Sequence, residues 1–135
     1  TGDLDMRYVF EQLLLPVAAE YRPELVLVSA GQDGYRDDPI AGMKLSTAGY
    51  KEMAALVRRI ADRYASGRLV AVLEGGYHRE ALGECVAGIL EVWLEEGLAV
   101  ESGEKVPVAA VHPQVAAAVA NVKEVHRRFW PSLGG

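Results

Sequence analysis

Residues 25–39 read LVLVSAGQDGYRDDP. Four apolar residues, Leu25 to Val28, give way through Ser29 and Ala30 to two glycines, a glutamine, an arginine and three aspartates. The apolar run is short, unbroken and partly β-branched, and Gly31 ends it. That pattern predicts a strand over 25–30 covered on both faces. Asp33 then falls three residues past the end of a buried strand. It has two readings: an ordinary turn residue, or a carboxylate required by something at the strand tip. Spacing alone favours the turn.

A second run of the same kind, LVAVLE at 69–74, is broken by Gly75-Gly76-Tyr77. Between the two runs, Ser46 or Thr47 is placed to cap a helix. Tyr50, Met53, Val57, Ile60 and Tyr64 form its apolar stripe, and Gly67 marks its end. Upstream, residues 4–21 read as a helix with Tyr8, Leu15, Val17 and Ala18 among its apolar positions. Pro16 predicts a kink or break inside it, and Arg22-Pro23 closes it. Downstream, a helix over 79–96 carries Leu82, Cys85, Val86, Ile89 and Trp93 on one face and ends at Gly97. Residues 98–111 read either as loop or as a short edge strand. A last helix runs from Pro113 to Phe129, with Val115, Val119, Val122 and Phe129 in register. The tail WPSLGG reads as a packed Trp followed by a loose end. The chain holds no internal repeat, low-complexity run or linker.

Strand, helix, strand, helix at these spacings specifies the α/β class, a parallel sheet flanked by helices. Ligands of such sheets sit beyond the carboxyl ends of the strands. The GQDG and EGGY loops should therefore share one edge, with Asp33 and Tyr77 facing one cleft. Two clear strands are few for a sheet buried on both faces. The expectation is a piece of a larger sheet, completed by further sequence or by another chain, with exposed sheet surface prone to self-association.

Composition narrows the partners. The chain has 135 residues, 50% of them hydrophobic, enough for a single domain with a core. No segment approaches the ~18 uninterrupted apolar residues of a membrane span. The acidic start, TGDLDMRYVF, is no signal peptide and has no initiator Met, so the chain is expected to begin partway through something longer. A net charge of −5 argues against a nucleic-acid surface. The single cysteine, Cys85, excludes an internal disulfide and suits a reducing cytoplasm. Its helix-face neighbours mark it as a packing thiol rather than a reactive one.

The two loops hold the chemistry. An Asp33 oxygen can ligate zinc, but zinc takes about three protein ligands and an open position for water. His78, His112 and His126 form no HxxxH or CxxC pattern with it. Tyr77 follows two glycines, which let the backbone turn sharply and approach a ligand. Its phenol can donate to a developing oxyanion, or it can pack on the sheet end and cap the next helix. Asp37 and Asp38 read as solvated or capping residues. Neither loop has phosphate-binding spacing, and a carboxylate in each would repel phosphate.

SAGQDGYRDDPIAG followed at a distance by LEGGY resembles the C-terminal part of the histone deacetylase family, which includes acetylpolyamine amidohydrolases and acetoin-utilisation proteins. GDLDMRYVFEQLLLPVAAEYRPELVLV, LSTAGYKEM and HRRFWPSL are similar to the segments around those motifs, so the likeness runs over nearly all of the chain, weakest at 98–111. The resemblance implies an arginase-like α/β fold and a zinc-dependent hydrolase, an amidohydrolase that cleaves an acetyl amide. Asp33 would match a zinc-binding aspartate. Tyr77 would match the tyrosine that donates to the acetyl carbonyl and its oxyanion. Ile40 would line the acetyl-lysine channel with Gly75 and Gly76. In that chemistry zinc polarises the carbonyl and its water, and a histidine serves as base and then acid. Gln32 stands where many relatives have Phe, and Gly34-Tyr35 replaces small or His residues, which leaves substrate choice open.

The other zinc ligands and the catalytic histidines of the family have no counterpart in this sequence. The resemblance thus implies that residues 1–135 are one C-terminal segment, a fragment of a longer catalytic domain whose substrate is an acetylated lysine or polyamine. Alone, the segment should hold zinc weakly or not at all and should not turn over. Two alternatives belong to other classes: a non-catalytic α/β module that binds a ligand or partner through the same cleft, and a subunit that needs a separate N-terminal half.

Overall fold

The computed structural model describes residues 1–95 and 105–134. Its sheet is a parallel pair, β1 (Val26–Ala30) and β2 (Leu69–Leu73), in register from Val26 opposite Leu69 to Ala30 opposite Leu73. The crossover between them is α3 (Thr47–Tyr64). Ser46 caps α3, its hydroxyl accepting from the Gly49 N–H. The helix stops through Ser66 and Gly67, both at positive φ, with the Gly67 N–H reaching back to the Ala61 carbonyl. After β2 comes α4 (Arg79–Leu94), and after residue 105 a short 3-10 turn (Val108–Ala110) and α5 (Pro113–His126).

The core lies between α3 and α4. Leu45, Tyr50 and Ala54 meet Cys85, Ile89 and Val92, with Met6, Tyr35, Met53 and Trp93 packed around them. Gly88 lets α4 approach α3, because a Cβ there would sit 3.0 Å from the Lys51 side chain. The Trp93 indole donates to the Ala54 carbonyl at 3.0 Å. Arg58 reaches across from α3 and donates to the carbonyls of Val92 and Glu95, acceptors at the end of α4.

Pro16 does not end the first helix. The chain runs through α1 (Asp3–Val9), a π-helical turn (Phe10–Leu14) and α2 (Leu15–Tyr21), with Pro16 in the first turn of α2. A proline cannot donate to the carbonyl four residues back. The wider turn, closed by the Leu15 N–H on the Phe10 carbonyl, absorbs that loss and lets the helix resume. Asp3, at the start of α1, accepts from the Ser46 N–H and hydroxyl and so ties this segment to the start of α3.

Three expectations are corrected. The strands are not covered on both faces: Leu27 is 71% exposed and Val72 60%. Helices α3 and α4 turn their apolar stripes mainly toward each other, and no described element lies over those strand residues. The last helix ends at His126 rather than Phe129. There the N–H groups of Phe129 and Trp130 turn back onto the His126 carbonyl, and Phe129 stays exposed beneath the Arg128 guanidinium. The tail through Gly134 is packed rather than loose: Trp130 meets Tyr21 edge-on, Leu133 is buried and the Ser132 N–H donates to Glu20. Residues 105–111 form no strand. The expected stop at Gly97 and residues 98–104 lie outside the described residues.

Candidate functional site

The two strands end together, and their loops continue side by side. The Glu74 N–H bonds the Ala30 carbonyl, and one step further the Gln32 N–H bonds the Gly75 carbonyl at 2.8 Å. Parallel pairing therefore runs past both strands and locks GQDG beside EGGY. Gln32 is buried between them. With its amide nitrogen facing the carbonyls, it donates to Gly75 and Ala30, each at 3.1 Å. It is a staple beneath the loops rather than a residue of the open surface.

Asp33 stands at this junction, its carboxylate packed against two glycines. A Cβ on Gly31 would lie 2.7 Å from Asp33 Oδ1, and one on Gly75 would lie 2.9 Å from the same atom. The glycines at the two strand tips thus make room for one carboxylate. None of the hydrogen bonds among the described residues involves that carboxylate. The Tyr50 hydroxyl lies under the same loop, 3.0 Å from where a Gly34 Cβ would sit, without a hydrogen-bond partner among the described residues. Burial above all, then the charges of Cys85, Asp33 and Asp38, push its phenol up to about 12.

Tyr77 is reached through Gly75 and Gly76, the latter at φ +133, a conformation glycine adopts readily. The alternative in which Tyr77 packs down and caps α4 is not what the fold does. Its side chain is 57% exposed, and His78 is the cap, Nδ1 accepting from the Ala81 N–H at 3.2 Å. Ile40 is likewise exposed.

Asp38 is the residue that sequence reasoning undervalued. Asp37 is exposed as expected, but Asp38 is only 7% exposed. Its Oδ2 accepts from the Tyr77 N–H at 2.7 Å, and its Oδ1 from the Ile40 N–H at 2.9 Å. Desolvation works to raise its pKa, but the N–H groups of Tyr77, Ile40, Ala41 and His78 outweigh it and hold the carboxyl below the ordinary aspartate value. The only sequence signal was the Asp-Pro pair, which announces a turn. Its partner lies 39 positions away.

The Nδ1 atoms of His78 and His112 are engaged as helix caps. Among the described residues no three His, Cys, Asp or Glu side chains come together as a metal site. One open carboxylate fits a metal, but by itself it falls short of the roughly three protein ligands that zinc requires. Cys85 is fully buried 3.7 Å from the Thr47 hydroxyl, and burial raises its thiol pKa, as suits a packing thiol. A groove of about 670 Å³ between the first helical segment and α3 is lined by Leu15, Leu56, Arg59, Tyr64 and Lys105 among others. No candidate residue borders it. Among the described residues no helix is long and apolar enough to cross a membrane.

A family model described as "Histone deacetylase domain" matches residues 1–93, which contain every candidate residue above. Histone deacetylase 14, chloroplastic, of Arabidopsis thaliana is 41% identical over 102 residues, 75% of this chain and 24% of that protein. A probable deacetylase of Archaeoglobus fulgidus is 34% identical over 139 aligned residues, 96% of this chain and 39% of that protein. The crystal structure of the HDA15 HD domain superposes with a TM-score of 0.81 at 27% identity, over 99% of this chain and 33% of that one. The chain thus spans between about a quarter and two fifths of the length of these relatives.

Proposed function

The chain belongs to the histone deacetylase family, and on that premise we propose that it is the C-terminal part of a zinc-dependent amidohydrolase that removes acetyl groups from acetylated lysine or polyamine. The observation that carries this reading is the junction of the two loops: Asp33 packed against Gly75, and Tyr77, two residues further along that loop, held through its N–H by Asp38. An open carboxylate and an exposed phenol on one sheet edge are what amide cleavage needs from this half of a site.

In this reading Asp33 contributes one ligand to a zinc ion whose other ligands lie outside these residues. When bound, the ion supplies Lewis-acid activation. Tyr77 donates its phenolic proton as a hydrogen bond to the acetyl carbonyl, a bond that strengthens as negative charge grows on that oxygen. Ile40 forms an apolar wall for the substrate's methylene chain, and Gly75 and Gly76 let that chain pass close to the backbone. The exposed faces of β1 and β2 are the surface on which the rest of the catalytic domain packs. A single buried thiol accords with a reducing compartment such as the cytoplasm.

The test has two arms. In the complete deacetylase, Asp33→Ala is expected to abolish zinc binding. Tyr77→Phe is expected to keep zinc and lose about 10²–10³ in rate. Metal analysis and an acetyl-lysine assay read both, and an unchanged rate in Tyr77→Phe would remove the assigned role. Residues 1–135 alone are expected to bind zinc poorly and show no turnover. One tightly bound zinc per monomer with activity would defeat the reading, and detection of a separately encoded partner that restores activity would convert it to the two-subunit form.

A further inference from the structure

We propose that Asp38 is a positioning residue for catalysis, acting through the backbone of Tyr77. The inference rests on the role just given to Tyr77 and adds what holds that residue in place. Gly75 and Gly76 precede Tyr77, so the chain leading to it is soft on one side. The Tyr77 side chain is more than half exposed and gains little restraint from packing. The restraint comes instead from its own N–H, held at 2.7 Å by a carboxylate that is almost wholly buried.

The same carboxylate bonds the Ile40 N–H through its other oxygen. One buried side chain therefore sets two exposed residues that project from different loops. The carboxylate is suited to this task because it offers two acceptor oxygens and no donor. It is also fixed at its base, since the Asp38 N–H bonds the Tyr35 carbonyl at 2.9 Å. Tyr35 in turn bridges to Leu45 of the core and rests against the His78 ring. The phenol is thus referenced to the α3–α4 core through Asp38, not through the glycines beside it.

Asp38→Asn discriminates. Asparagine keeps one acceptor, which the local turn to Ile40 uses, and presents an amide donor to the Tyr77 N–H, where two donors repel. In the complete deacetylase, kcat is expected to fall about 10- to 100-fold, part of the 10²–10³ that loss of the phenol itself would cost. KM and zinc content should change little. Adding Asp38→Asn to Tyr77→Phe should cause no further loss, because a residue acting through a phenol has nothing to position once the phenol is gone. Rate losses that multiply in the double variant, or a kcat within twofold of the parent, would overturn the proposal. If the variant does not fold, the unaltered protein decides. The Tyr77 amide should be protected from hydrogen exchange despite its exposed side chain, and rapid exchange there overturns the idea. Full activity in Tyr77→Phe alone would instead sink the functional reading while leaving the amide protection intact.

Discussion

At the scale of single residues, the glycines of the two loops were visible in the sequence but their reasons were not. Gly76 is required by its φ of +133 and by the Leu82 and Gln32 side chains, which a Cβ would meet at 2.9 and 3.1 Å. Gly76→Ala is expected to destabilise by about 1–3 kcal/mol, read from thermal or denaturant unfolding. Gly75 is required by something else, the Asp33 carboxylate. Gly75→Ala should push that carboxylate aside and lower zinc affinity in the complete enzyme more than it lowers the melting temperature. Equal melting loss with unaltered zinc affinity would refute this. Cys85 gives a third check. Its thiol is buried and its pKa raised, so a disulfide reagent should modify it only as fast as the protein opens. Asp33 and Tyr77 were legible as candidates because both follow a strand at an odd polar loop. Asp38 was not, because a buried carboxylate and a solvated one look alike in a sequence until their partners are known.

At the scale of elements, local signals were reliable where the bonds they describe are local. Ser46, one of the two caps expected at the head of α3, and the Gly67 stop are short-range devices, and both occur as the sequence predicts. Ser46→Ala should cost about 1 kcal/mol for the cap itself, and somewhat more here because Ser46 also bonds Asp3 of α1. Chemical denaturation of Ser46→Ala alone and combined with Asp3→Ala should show that the two losses are not additive. Strict additivity would mean that the cap and the tie are independent. Pro16 shows the limit of a local rule. The missing N–H was read correctly as a fault in the helix, but a π turn repaired it, a choice that sequence period does not reveal. The end of α5 shows the reverse. The apolar register ran on to Phe129, yet the helix had already turned back at His126 and the phenyl ring found an arginine instead of a core.

At the scale of the whole molecule, the apolar strands and their exposed faces are in tension. Leu27, Val70, Val72 and Leu73 are all exposed large hydrophobics on a two-stranded sheet. Residues 1–135 by themselves are expected to self-associate through this surface. Light scattering should show oligomers that Leu27→Lys with Val72→Lys reduces, and a clean monomer of the unaltered chain would count against it. The sequence by itself determined the class of the fold, the two strands, the ends of α3 and the two loops that carry chemistry, because each is encoded by residues near one another along the chain. Only the tertiary structure decided that Asp33 lies against Gly75, that a buried Asp38 holds Tyr77, and that the strands keep bare faces. Each of these depends on groups tens of positions apart or on surface left uncovered, and hydrophobic pattern records a preference for burial without recording what does the burying.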